Sequence, residues 1–171
     1  MFKFIAILLF FSSSSSIGIY HASRLNRRQT LLIQYRDLMH RLETEIGYFK
    51  APLPQLFAKL QNNTNESIDL FLRQCLFQIN TTNKSISEIW ETATKDTYEN
   101  EPLNSSDLAI MCKCGHFLGQ SDYQSQRGYF ALLQGELNGQ IDEAAANCKT
   151  KGILYTKAGI SIGAVLAIAL I

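Results

Sequence analysis

The two ends of this chain are apolar, and they constrain everything between them. Residues 4–20 read FIAILLFFSSSSSIGIY, 17 positions without a charge, at the lower limit of the roughly 17–25 residues that a spanning helix needs. The serines at 12–16 dilute the segment, although a serine hydroxyl in an apolar helix bonds back to its own turn or across to a neighbour. A cleaved signal peptide beginning at Lys3 and ending near Ala22 fits less well, because Tyr20 stands three positions before the cut, where a small residue is preferred. At the other end, residues 158–171 read AGISIGAVLAIALI. Extended back to Gly152 they make a second membrane helix if the Lys157 amine reaches the interface. Gly159, Gly163 and Ala167 form a small-xxx-small series that permits close helix approach and self-association. The expected organisation is an N-terminal membrane helix over 1–22, a helical domain over 23–151 and a C-terminal membrane helix over 152–171.

Basic residues orient such a chain, since Lys and Arg near a span are kept on the cytoplasmic side. Arg24, Arg27 and Arg28 follow the first segment, and Lys149 and Lys151 precede the second. Both ends therefore place the middle in the cytoplasm and both termini outside. Elsewhere charge says little: 16 basic against 15 acidic residues leave a net +1, which gives no electrostatic reason to expect nucleic acid.

The middle has helical periodicity. Leu31, Tyr35, Leu38, Leu42, Ile46 and Phe49 fall in steps of three and four, one stripe of a helix that continues from the first apolar segment. Pro52 and Pro54 then break it, because proline lacks a backbone donor and restricts its predecessor. Ile68, Phe71, Leu72, Cys75 and Ile79 mark a further helix, and Ile86, Ile89, Trp90 and Ala93 another, opened by a capping box of Ser85 and Glu88. A helix over about 106–118 is expected to stop at Gly119, with the next capped by Ser121 and Gln124. The last long helix carries Phe130, Leu133, Leu137, Ile141, Ala144 and Cys148. No strand-like alternation competes, so the expected fold is all-α, a bundle of about six helices with an apolar membrane helix at each end. Leu38, Leu42, Ile46, Trp90, Leu118, Phe130, Leu133, Leu137 and Ile141 are its expected core.

Chemistry-bearing residues are sparse. Cys112, Cys114 and His116 lie within five residues, but on a helix Cys114 points away from the other two and a fourth zinc ligand is missing. Buried thiols beside an ordinary histidine explain them better. Glu43 and Glu45 diverge on a helix and read as a solvated face. No phosphate-cradling loop, nucleophile with a base, or zinc-hydrolase helix is present, so neither an enzyme nor a cofactor or metal site is expected. Residues 119–126, GQSDYQSQ, read as a polar corner between helices. An alternative comes from the Asn-x-Ser/Thr patterns at Asn62, Asn65, Asn80, Asn83 and Asn104: a secreted, glycosylated, lipid-anchored helical surface protein.

Four stretches in order, LETEIGYFKAPLPQLF (42–57), SEIWETA (87–93), FLGQSDYQSQ (117–126) and KTKGILYTKAGISIGAVLAIALI (149–171), resemble the stage III sporulation protein AB family of endospore-forming bacteria. The resemblance covers essentially the whole chain. It implies a non-enzymatic membrane component of a secretion-like channel between mother cell and forespore, set in the mother-cell membrane around the forespore. Its domain would be similar to the cytoplasmic domain of the platform protein of type II secretion and type IV pilus systems. The implied partners are the ATPase stage III sporulation protein AA and other membrane proteins of that complex. Of the residues that match the pattern, Glu45, Pro52, Leu53, Gly119, Gln120, Asp122 and Gln126 are expected to bind partners, whereas Trp90 and Leu118 are expected in the core.

Overall fold

Proline at 52 and 54 and a polar run at 62–65 leave the first half of the chain two places to turn, and the helices fall between them. The computed structural model describes residues 2–49, 52–61, 65–118 and 123–170, with side chains at all of these except 2–8, 10, 11, 48, 49, 123–126, 166, 167, 169 and 170. The order is α1 (Phe2–Phe49), α2 (Leu53–Leu60), α3 (Glu66–Thr81), α4 (Ile86–Tyr98), α5 (Ser105–Leu118), α6 (Tyr123–Asn147), a π-helical turn (Cys148–Gly152) and α7 (Ile153–Leu170). Among the described residues there is no strand, so the all-α expectation holds. The chain forms two compact units: Thr30–Ile141, and Met1–Gln29 together with Asp142–Ile171.

The helix ends of the larger unit follow local chemistry. Pro52 stands before α2 with φ −57° and ψ 140° and Pro54 lies in its first turn, where the missing N–H has no helical partner to lose. Ser85 and Glu88 form the expected capping box, the Ser85 backbone N–H donating to Glu88 Oε2 at 2.9 Å and the Glu88 N–H to Ser85 Oγ at 3.3 Å. Asn104 and Asp107 make the same reciprocal arrangement at the start of α5, at 2.7 and 2.9 Å. The box expected at Ser121 and Gln124 lies outside the described residues or side chains.

The core of this unit is aromatic. Trp90 is buried with Tyr35, Phe57, Phe71 and Tyr98, its ring edge-on to Phe71 at 4.7 Å, a geometry that aromatic quadrupoles favour. Its polar edge is satisfied: Trp90 Nε1 donates to the Met111 carbonyl at 2.9 Å and to Tyr35 Oη at 3.1 Å, while Tyr35 Oη donates to the same carbonyl at 2.8 Å. α5 reaches α4 at Gly115, where an added Cβ would stand 2.6 Å from Trp90 Cβ. Leu38, Leu42, Leu118, Phe130, Leu133, Leu137 and Ile141 are buried as expected. Ile46 is a correction. It is only half-buried, one turn past Leu42, the last residue of α1 that is fully covered. Leu32, Met39 and Gln78 are buried beside the expected stripes, which are wider than a strict three-four count.

The smaller unit is held differently. The amino-terminal half of α1 lies against α7 at Gly18 and Gly159, where an added Cβ would stand 2.6 Å from the Tyr155 carbonyl oxygen and 2.9 Å from that of Ser14, respectively. Ser14 Oγ donates to the Gly159 carbonyl at 2.8 Å. His21 stacks at a tilt on Tyr155, centroids 5.5 Å apart, and further along Arg28 Nη1 meets Glu143 Oε1 at 3.3 Å. The close approach expected of Gly159 is thus made within the chain. Among the described residues no helix is long and apolar enough to cross a membrane, so the structure does not support the expected membrane helices over 1–22 and 152–171. Serines at 12–16 interrupt the first segment, and Thr156, Lys157 and Ser161 interrupt the second.

Candidate docking surface

Of the residues expected to bind partners, Glu45, Pro52 and Leu53 are the ones with described side chains. Glu45, near the end of α1, accepts two hydrogen bonds from Lys59 Nζ of α2, at 2.8 and 2.6 Å. The pair lines an open cleft of about 520 Å³ with His40, Arg41, Thr44 and Leu60. Exposed ion pairs of this kind contribute little stability. Pro52 is exposed and Leu53 half-buried at the start of α2. Gly119, Gln120 and Asp122 lie outside the described residues, and Gln126 falls in α6 with its side chain undescribed. Glu43, read from the sequence as solvated, accepts a hydrogen bond from Gln134 Nε2 of α6 at 2.9 Å.

The cysteine and histidine group is dispersed by the helix that carries it. Cys114 is buried with its Sγ 3.0 Å from Met39 Sδ, and burial pushes its thiol well above the ordinary value. Cys112 is half-buried and burial raises it as well. His116 is exposed, its Nδ1 2.7 Å from Ser87 Oγ. Among the described residues no three candidate ligands converge, and all four cysteines are free. Asn104, which opens an Asn-x-Ser pattern, has its side-chain oxygen engaged by the Asp107 N–H.

What sequence periodicity did not single out is the outer face of α3. Leu70 is 50% and Phe77 63% exposed, two turns apart and opposite the buried line of Ile68, Phe71, Leu72 and Cys75, with Arg73 exposed between them. Two large apolar side chains off the buried stripe were the available signal. Aromatic and arginine side chains of this kind dominate binding energy at protein interfaces.

The smaller unit has a surface of another character. Of the fifteen large apolar side chains exposed among the described residues, eleven belong to it, among them Ile17, Ile19, Ile160, Ile162, Val165 and Ile168. Soluble surfaces rarely collect apolar area so densely, and where they do the patch marks a protein or membrane contact.

The fold therefore defines an all-α protein with an aromatic-cored helical unit and a second, apolar-surfaced helix pair. A solved structure titled Stage III sporulation protein AB resembles it with a TM-score of 0.66 at 21% sequence identity, over 71% of this chain and 96% of that one; at that identity the likeness establishes the fold. No curated protein sequence matches. The family described as Stage III sporulation protein AB matches residues 3–171. The chain belongs to the stage III sporulation protein AB family, and so to the proteins of sporulation.

Proposed function

We propose that this protein is a non-enzymatic, membrane-attached component of a sporulation complex in the mother-cell membrane around the forespore, whose helical unit docks the ATPase stage III sporulation protein AA and other membrane proteins of a secretion-like channel. The observation that carries the reading is the concentration of exposed apolar side chains on the helix pair of Met1–Gln29 and Asp142–Ile171. Burying such surface in lipid contributes roughly 25 cal/mol per Å², and pairing through Gly18 and Gly159 makes the two terminal segments insert together. In the helical unit, Leu70, Arg73 and Phe77 supply the apolar and guanidinium anchors for a protein partner, with the Glu45–Lys59 cleft as a second, polar contact. Family membership favours this reading over the surface glycoprotein.

The test is fractionation followed by co-purification of the full chain. The protein should stay with sporulating-cell membranes through alkaline carbonate and be released by detergent, and the ATPase should co-elute with it. Leu70→Asp with Phe77→Asp should abolish co-elution while leaving the helical circular dichroism unchanged. Release by carbonate alone would overturn membrane attachment, and undiminished co-elution of the double variant would overturn the α3 face.

A further inference from the structure

The contacts of the smaller unit set a register between its helices, and charge is sorted along it. His21 meets Tyr155 at one level and Arg28 meets Glu143 at another, so the two arms run antiparallel and the stretch between these contacts is common to both. On α1 that stretch is residues 22–27, containing Arg24 and Arg27; on the other arm it is residues 144–154, containing Lys149 and Lys151. It contains no Asp or Glu, and all four basic side chains are exposed. In the sequence the stretch 144–154 is preceded across its boundary by Glu143, which meets Arg28 at 3.3 Å, and by Asp142. On the opposite side lie Tyr20 and Tyr155, 59% and 40% exposed, and beyond them the exposed Ile17, Ile160, Ile162 and Val165.

Along the helix pair, the order is a set of exposed aliphatic side chains, a pair of tyrosines and a band of four cations. Tyrosine favours the boundary between hydrocarbon and headgroups, and lysine and arginine just past that boundary are attracted to acidic lipid. Lys149 and Lys151 both sit in the π-helical turn Cys148–Gly152, a local departure from α-helix that recurs at functional sites.

We propose that Arg24, Arg27, Lys149 and Lys151 form a collar that binds the headgroups of anionic lipids, giving the protein a preference for acidic bilayers. The assignment rests on the membrane attachment proposed above and adds to it a lipid charge. Each basic side chain near an acidic surface raises partitioning about fivefold, so the four together amount to an effect of about 600-fold at low salt, screened as salt rises because the groups are exposed.

Vesicle flotation tests it with the full chain, diluted from detergent onto phosphatidylcholine vesicles and onto vesicles that also contain phosphatidylglycerol. The native chain should float with both and bind the acidic vesicles far more strongly at low salt than at high salt. Arg24→Gln, Arg27→Gln, Lys149→Gln and Lys151→Gln together should remove the preference and leave binding to neutral vesicles unchanged, while Arg28, which pairs with Glu143, is left in place. Equal native binding to both vesicles would overturn the collar and leave membrane attachment standing. Failure to float with either would overturn both. A variant that keeps the acidic preference would show that other residues carry it, and so overturn the assignment.

Discussion

In the helical unit of Thr30–Ile141, large side chains, Trp90, Phe71, Tyr35 and Tyr98 among them, fill the space between the helices, and where α5 comes close at Gly115 it meets the Trp90 side chain rather than backbone. In the paired ends the helices touch backbone to backbone, Gly18 against Tyr155 and Gly159 against Ser14. On the membrane attachment proposed above, the difference follows from what each surface faces. A water-facing unit gains stability by withdrawing apolar area, so bulk inside helps. Helices whose outer faces are already apolar gain little by that route, and close approach with short polar bonds such as Ser14 to Gly159 becomes the way to hold them together.

Trp90→Ala is the largest blow to the first kind of packing. It removes the ring from Phe71 and leaves the Met111 carbonyl without its indole donor, and should destabilise the helical unit by about 3–5 kcal/mol. The readout is urea unfolding in mild detergent. A change below about 1 kcal/mol would show that the aromatic cluster is not what holds the unit together. Gly18→Ala strikes the second kind. Its added methyl would meet a carbonyl at 2.6 Å, and since backbone cannot swing aside as a side chain can, the helices must separate, at a loss of about 1–3 kcal/mol. Amide exchange should quicken at residues 10–20 and 153–163 and stay unchanged around Trp90. Exchange rising equally in both regions would contradict the division into two units.

Alkaline pH should weaken the helical unit through its buried acids. Burial pushes the Cys75 thiol from its ordinary 9.0 up to about 12, and burial, then Cys114, hold the Tyr35 hydroxyl well above 10.0. Both values are raised on folding, so the stabilisation is complete below the unfolded value. Above it the unfolded chain has lost protons that the folded chain keeps, and stability falls as pH rises. For Cys75 the window runs from 9.0 to about 12, with a slope near 1.4 kcal/mol per pH unit for each group. The urea midpoint should therefore hold nearly level up to about pH 8.5, drop between about pH 9 and about pH 11, and drop less in Cys75→Ala. A midpoint that does not move would refute the burial of these groups.

How much of this was legible in the sequence differs between the regions. Leu38, Leu42, Trp90, Leu133 and Leu137 announce the helical unit because a buried stripe must repeat at three and four, and the Ser85–Glu88 box is a local event encoded within four residues. The contact of Gly18 with Gly159 was only half legible. The glycine spacing shows that Gly159 can approach another helix, but a partner 141 positions away in the chain leaves no local trace. Periodicity separates Phe71, on the three-four stripe of Ile68, Leu72 and Cys75, from Phe77, which falls off it, but not whether another helix covers Phe77, which the structure leaves exposed. Arg24, Arg27, Lys149 and Lys151 were visible as charges, and it took the register between the arms to bring them to one level.

The smallest effect bears on glycine itself, which the paired ends need at 18 and 159 and the outer face of α6 does not need for packing within this chain. A Cβ added at Gly135 or Gly139 would meet nothing within 4 Å. Both lie inside a helix, where glycine is less favourable than alanine by about 0.8–1.0 kcal/mol because it loses more backbone freedom on folding. Gly139→Ala should therefore stabilise the helical unit by about 0.5–1 kcal/mol, a rise small beside the loss expected for Gly18→Ala and opposite in sign. Paired urea titrations of the two variants measure both. If Gly139→Ala destabilised the chain, space on the outer face of α6 would not be what separates it from the paired ends, and the contrast between the two uses of glycine would fail.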